Sequence, residues 1–285
     1  MPLSPEDQKF LNEAAEYLEN PSLLLRLADA VGRPLEFLGK RAPGMLTRVV
    51  DKALRQALTV AVSTLDESSP RLQQFPRLAK AMEKPGWHSV AGAVSGAGGG
   101  FLGLPGLAFE LPITTTIMLR SIAAMAKQQG EEIENPEVQL QCLAVFSLGG
   151  PQRKGTESVT GALESSYFTA RVAIQEAIVA ASHFVARVST EELLSAIRHG
   201  TAPVLVQLIG RVAARFNVAV SQKLVAQGLP IVGAAGGAAL NVAFIDHFTR
   251  VAYYHFGIRR LERIYGYQPV QAAYRAALEA VKIPA

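Results

Sequence analysis

The sequence predicts an all-α protein: a single helical domain over residues 1–285, built around two glycine-rich segments that pack closely against longer amphipathic helices. Three observations carry this. Apolar residues recur at spacings of three and four along most of the chain, and no convincing run alternates as a strand does. Proline followed by an acidic residue recurs where helices would begin. Two stretches, residues 89–109 and 224–245, carry almost no charge and are filled with glycine and alanine.

The elements follow in order. Ser4-Pro5-Glu6-Asp7 reads as an N-cap, a proline at the first helical position and an acidic first turn, which predicts a helix to about Leu18. Pro21-Ser22 opens a short second helix with Leu24, Leu27 and Ala28. Over residues 46–65 the stripe Leu54, Leu58, Ala61 and Leu65 predicts another. Residues 66–88 hold Pro70, Pro76 and Pro85 and read as a connector. The first glycine-rich stretch comes next, and Pro105 is expected to end or kink it. Glu110-Leu111-Pro112 then reads as a fresh helix start, with Glu110 near the N-cap and Pro112 in the first turn. That helix carries Ile113, Ile117, Leu119, Ile122 and Ala126 and stops before Gly130. Asn135-Pro136-Glu137 starts the next, and residues 149–158 (GGPQRKGTES) read as an exposed loop.

Leu163, Tyr167, Ala170, Ile174, Ala177, Ala181, Phe184 and Val188 form the longest regular stripe and predict one long packed helix. Thr190-Glu191-Glu192 marks a further start. Ile209, Val212, Phe216, Val220 and Leu224 make one face of an amphipathic helix, with Arg211, Arg215 and Gln222 elsewhere on it. The second glycine-rich stretch follows Pro230 and merges into FIDHFTRVAYYHFGIRRLERIYG.

Within the two stretches, Gly92, Gly96 and Gly100, and then Gly233 and Gly237, stand four residues apart. On a helix this spacing makes a smooth groove for another backbone. Each stretch is about as long as a membrane span. Glycine and alanine contribute little to insertion, however, and Pro105 and Glu110 interrupt the first run. A hairpin dipping into the membrane and two close-packed helices inside the protein both fit better than a span, and the close-packed segments are the expectation. A shift of 137 residues lays Gly96, Gly99 and Gly100 on Gly233, Gly236 and Gly237, with a carboxylate (Glu110 or Asp246) after each apolar run.

Charged residues make up 18 % of the chain, below the quarter usual in soluble proteins. The net charge of +4 suits weak attraction to anionic lipid or nucleic acid. The single cysteine, Cys142, excludes an internal disulfide and a cysteine-rich zinc site; in LQCLAVF it reads as an inert core residue. MPLSPEDQKF has no basic region followed by an apolar one, so no secretory signal is expected and the cytoplasm is favoured.

Near the ends of the glycine-rich stretches lie Glu110, Arg120, Asn241, Asp246, His247 and Arg250. Gathered at one end of the bundle, they would form an acid–base site or a buried ion-pair network that fixes helix register; the network is preferred. His183 reads as a helix-surface and His199 as a helix-end histidine. His247 and His255 stand eight apart without a His-Glu-x-x-His pattern, so no metal site is expected. There is no Gly-x-Ser-x-Gly elbow, and no Gly-Lys-Ser/Thr follows the glycines at 96–100. No catalytic residue, metal or cofactor is assigned. The run from Phe248 to Tyr267 mixes Arg250, Arg259, Arg260 and Arg263 with Tyr253, Tyr254, Phe256, Tyr265 and Tyr267. It suits a core helix with aromatics inside, then a membrane interface, and nucleic acid least.

The order of these pieces resembles the EcsC family of bacterial proteins over about residues 6–266. The resemblance is carried by GAVSGAGGGFLGLPGLAFELPITTTIMLRSIAAMAKQQGEEIENPE, by PIVGAAGGAALNVAFIDHFTRVAYYHFGIRRLERIYG, and by Tyr167 and Arg171 in YFTAR. Glu110 stands where the family usually has aspartate, and Gln129-Gly130 where Tyr-Gly is common. The family's namesake is linked to an ABC-transporter operon. The resemblance thus implies a membrane-related role, and with no catalytic constellation in the sequence the reading is a non-enzymatic, membrane-associated accessory or regulatory protein. Its expected partner is anionic lipid or a membrane or transporter protein, met peripherally at the cytoplasmic face; nucleic acid is not expected. Two alternatives stay open: a lipid or peptide hydrolase using Glu110, Asp246 and His247, and a soluble helical scaffold without membrane contact.

Overall fold

The computed structural model describes residues 2–19, 43–65, 103–148, 165–227 and 234–282. These residues form nine helices and no strand: α1 (Pro5–Glu19), α2 (Pro43–Leu65), α3 (Gly103–Gln128), α4 (Pro136–Leu148), α5 (Ser166–Val185), α6 (Thr190–His199), α7 (Pro203–Gln227), α8 (Ala234–Tyr265) and α9 (Tyr267–Lys282). The all-α class is thereby shown. The helix at Pro21, the connector 66–88, the loop 149–158, and Gly92, Gly96, Gly100 and Gly233 lie outside the described residues. Gly237 falls in the first turn of α8, and its packing lies outside them too.

Several helix ends are set by local chemistry. The Asp7 N–H donates to Ser4 Oγ at 3.1 Å, the N-cap bond expected of Ser-Pro-Glu-Asp. The Glu137 N–H donates to Asn135 Oδ1 at 2.9 Å and so opens α4. Ser189 and Glu192 form a reciprocal capping box at α6. That helix ends on Gly200, whose φ of 66° is left-handed backbone that glycine adopts without strain.

The region after the first glycine-rich stretch departs from expectation. Pro105 neither ends nor kinks a helix within the described residues. It sits in the first turn of α3, where a missing N–H costs little. Pro112 is interior and α3 runs through it, so Glu110 is a mid-helix residue and not a cap. Threonine hydroxyls bond carbonyls in the same turns: Thr115 donates to Leu111 O and Thr116 to Pro112 O. Of the expected α5 stripe, Leu163 lies outside the described residues, and Val188 lies past the end of the helix. Gln222 is buried and not on the solvent face of α7.

α8 is the axis of the bundle. It packs on α3, α4, α7, α9 and α1, while α2 lies along α3 and α7 and also meets α6. One contiguous core joins these helices. At its centre the rings of Phe146, Phe216, Phe244 and Phe248 join α4, α7 and α8, with centroids 4.8–6.0 Å apart. Cys142 is buried beside them on α4, and burial pushes its thiol up to about 12, which keeps it protonated and inert.

Two glycines in helix interiors give opposite expectations. A Cβ on Gly257 would clash with Cζ of Phe10, whose ring packs against Tyr253 and Tyr254. A Cβ on Gly210 would meet nothing within 4 Å. Gly210→Ala is expected to raise stability by about 0.5–1 kcal/mol through helix propensity. Gly257→Ala has the same propensity gain, but overpacking outweighs it, and stability falls by about 1–2 kcal/mol. Urea midpoints of both variants measure this, and a stabilised Gly257→Ala would show that Phe10 yields freely.

Candidate functional site

The most deeply buried charges lie where α3, α7 and α8 meet. Glu110 on α3 and Lys223 on α7 have side chains 2 % and 0 % exposed. Lys223 Nζ donates to Glu110 Oε1 at 2.5 Å and to Asn241 Oδ1 on α8 at 2.8 Å. Thr114, one turn beyond Glu110, places Oγ1 3.4 Å from the Asn241 amide. The ammonium lies 5.2 Å from the centroid of Phe244. Glu110 Oε2 is buried and has no hydrogen-bond partner. Burial pushes the Lys223 pKa down, and the Glu110 carboxylate opposes this without reversing it. An ammonium enclosed in this way is no nucleophile for a dissolved substrate. Its bonds join α7 to α3 and α8.

The other residues singled out in the sequence go elsewhere. Asn241 joins Glu110, but Asp246 and His247 lie five and six residues further along α8. At about 100° per residue they face roughly 140° and 120° away from Asn241, on different sides. Asp246 pairs with Arg250 on the surface at 3.0 Å, with both side chains about half exposed. His247 is buried, and its Nδ1 lies 3.0 Å from the Tyr17 hydroxyl of α1. Arg120 is half-buried on α3, about 15 Å along the axis from Glu110, and burial lowers its pKa. Glu110, Asp246 and His247 therefore do not converge, and the two carboxylates, which the 137-residue shift leaves one residue out of register, have unlike surroundings.

Sequence reasoning missed Lys223. The signal was present: Ile209, Val212, Phe216 and Val220 continue to Lys223 at a spacing of three, on the same inward face.

A second buried network surrounds Tyr167 and Arg171. The Tyr167 hydroxyl lies 2.9 Å from His255 Nδ1, and Arg171 grips Glu262 with two bonds of 2.7 and 2.6 Å. Glu19, the last residue of α1, accepts from Ser165 Oγ, the Ser166 N–H and hydroxyl, and the Tyr167 N–H, closing the start of α5. Glu131 bonds Arg259 and Arg263; burial would raise its pKa, but the two guanidiniums together hold it below the usual range. Arg260 pairs with Asp7, which also accepts from the Tyr265 hydroxyl. The arginines at 259, 260 and 263 are thus engaged with the protein's own carboxylates. Among the described residues no His, Cys, Asp and Glu set is placed to hold a metal ion.

A family model for the EcsC protein family matches residues 11–261, most of the chain. The chain belongs to the EcsC family. Within this EcsC chain, Glu110, Lys223 and Asn241 lie inside the matched span, as do Tyr167, Arg171 and His255, whereas Glu262 falls one residue past its end and α9 lies wholly outside it. No curated protein and no solved structure matches the chain.

His255 gives a pH dependence. Burial pushes its pKa well below the ordinary 6.5, and the charges of Arg171 and Arg259 add to the effect. The unfolded chain takes up a proton below about pH 6.5, and the folded one does not until much lower pH. This contribution is complete above about pH 6.5. It falls as the pH drops further, by up to about 1.4 kcal/mol per unit. Urea titrations at about pH 7.5, 6.5 and 5.5 are expected to show this decline in the wild type and a flatter one in His255→Gln. Equal slopes in the two proteins would exclude the assignment.

Proposed function

We propose that this EcsC protein is a non-enzymatic accessory or regulatory protein that works against a membrane. The observation that carries the proposal is α7. Over Pro203–Leu224 it is long and apolar enough to cross a bilayer, with a mean hydropathy of 1.3, yet only 44 % of that window is buried. A helix of that composition serving only as core would hide most of its surface. Arg211 and Arg215 near its middle favour a position in the interface over a span. The net charge of +4 favours anionic lipid as the contact.

Flotation tests this. The full-length protein is expected to float with vesicles of phosphatidylglycerol and phosphatidylethanolamine, and to be released by high salt. Protein that stays at the bottom of the gradient with every vesicle composition would defeat the proposal.

A further inference from the structure

Large apolar side chains are unevenly spread over the surface. Eight are exposed among the described residues, and four of these (Val172, Val179, Val206 and Val218) belong to α5 and α7. The two helices pack side by side, and Arg211 on α7 donates to the Ala173 carbonyl on α5 at 3.2 Å. The outward line of α7 through Val206, Gln207, Gly210, Ala214 and Val218 is uncharged, and nothing stands over Gly210. On α5 the outward line from Thr169 to Ala180 carries one charge, Glu176.

Basic residues rim this face. Arg215 is exposed on the α5 side of α7. On the other side Asn217 bonds Thr47 of α2; Arg48 and Lys52 on the outer side of that helix are exposed, and Asp51, the acidic residue nearest this edge, is paired with Arg55. An apolar centre with a cationic border is complementary to lipid tails at the level of anionic head groups.

We infer that the joint outer face of α5 and α7 is the surface that rests on the membrane, and that its partner is the anionic phospholipid bilayer. The inference rests on the membrane reading above and deepens it. The valines enter the boundary between head groups and tails. Arg48, Lys52 and Arg215 meet phosphates around them. α7 lies in the plane of the surface, with its inner face still on Phe146 and Phe248.

The experiment compares the full-length wild type, Val206→Asp/Val218→Asp and Arg48→Gln/Lys52→Gln/Arg215→Gln by flotation with phosphatidylglycerol-containing and pure phosphatidylcholine vesicles. The aspartate pair on the apolar face is expected to lower the bound fraction at least about tenfold, and the glutamine triple to weaken binding and remove its salt dependence. Circular dichroism melts show whether the variants are folded. If the aspartates unfold the protein, a fluorophore on Val206→Cys decides. Its emission is expected to shift blue on anionic vesicles, while the same label on Ala272→Cys, at an exposed position of α9, does not shift. Undiminished binding of folded aspartate variants, or a shift at Ala272→Cys and none at Val206→Cys, overturns the face while leaving membrane binding intact. Absence of wild-type flotation overturns both. A wild-type dimer that the aspartates disperse, without lipid binding, assigns the face to a second copy and overturns the inference.

Discussion

Lys223→Met is expected to lower the unfolding free energy by about 3–5 kcal/mol, and Glu110→Leu by a similar amount. Each single change leaves one charge in a site whose side chains are 2 % exposed or less. Lys223→Met strands a carboxylate that already has one unpartnered oxygen, and it takes one donor from Asn241 Oδ1. Among the described residues, Glu110→Leu leaves the ammonium a neutral amide and the Phe244 ring as partners. The double variant removes both charges and fills the space with apolar groups. It is expected to lie within about 2 kcal/mol of the wild type, because the attraction between two buried charges is largely offset by their lost hydration. Urea unfolding of the four proteins closes the cycle. Additive losses would mean that the two residues do not interact in the folded state.

Phe216→Ala is expected to cost about 3–5 kcal/mol, and Phe216→Leu much less, about 1–1.5 kcal/mol. Phe216 is fully buried on α7 and touches three other rings: Phe146 of α4, and Phe244 and Phe248 of α8. Alanine opens a cavity where three helices meet, and neighbours held by their own backbones cannot collapse into it. Denaturant midpoints of the two variants test this. A loss below about 1.5 kcal/mol for the alanine would show that the four rings are not one cooperative core.

The parts of this fold legible in the sequence are those decided within a few residues. Ser4, Asn135 and the Thr190-Glu191-Glu192 start sit beside the N–H groups they serve, and the α5 stripe needs only its own period. The start of α3 is not legible in the same way, because Glu-Leu-Pro is equally a first turn or an interior tolerated by packing. Local sequence does not say that Glu110 has a lysine 113 residues away. Lys223 continues an apolar stripe, yet a lone lysine is ordinarily assigned to solvent, since its burial requires a partner that only the tertiary fold supplies. Asp246 and His247 group with Asn241 in the sequence because they are near neighbours in the chain. One residue turns a helix by about 100°, which sends one to the surface and the other to Tyr17.

The packing of α1 against α8 and α9 has a consequence for synthesis. The Asp7–Tyr265 bond closes a separation of 258 residues, and α1 also lies along α9. At elongation rates of about 5–20 residues per second, α1 emerges roughly 13–50 s before these partners exist. For that interval its apolar side, Leu11, Ala14, Ala15 and Leu18, lacks the cover that α8 and α9 give. A helix translated well before α8 and α9 is thus among the last to find its place, and the nascent chain is open to a chaperone, or to a bilayer, until they arrive.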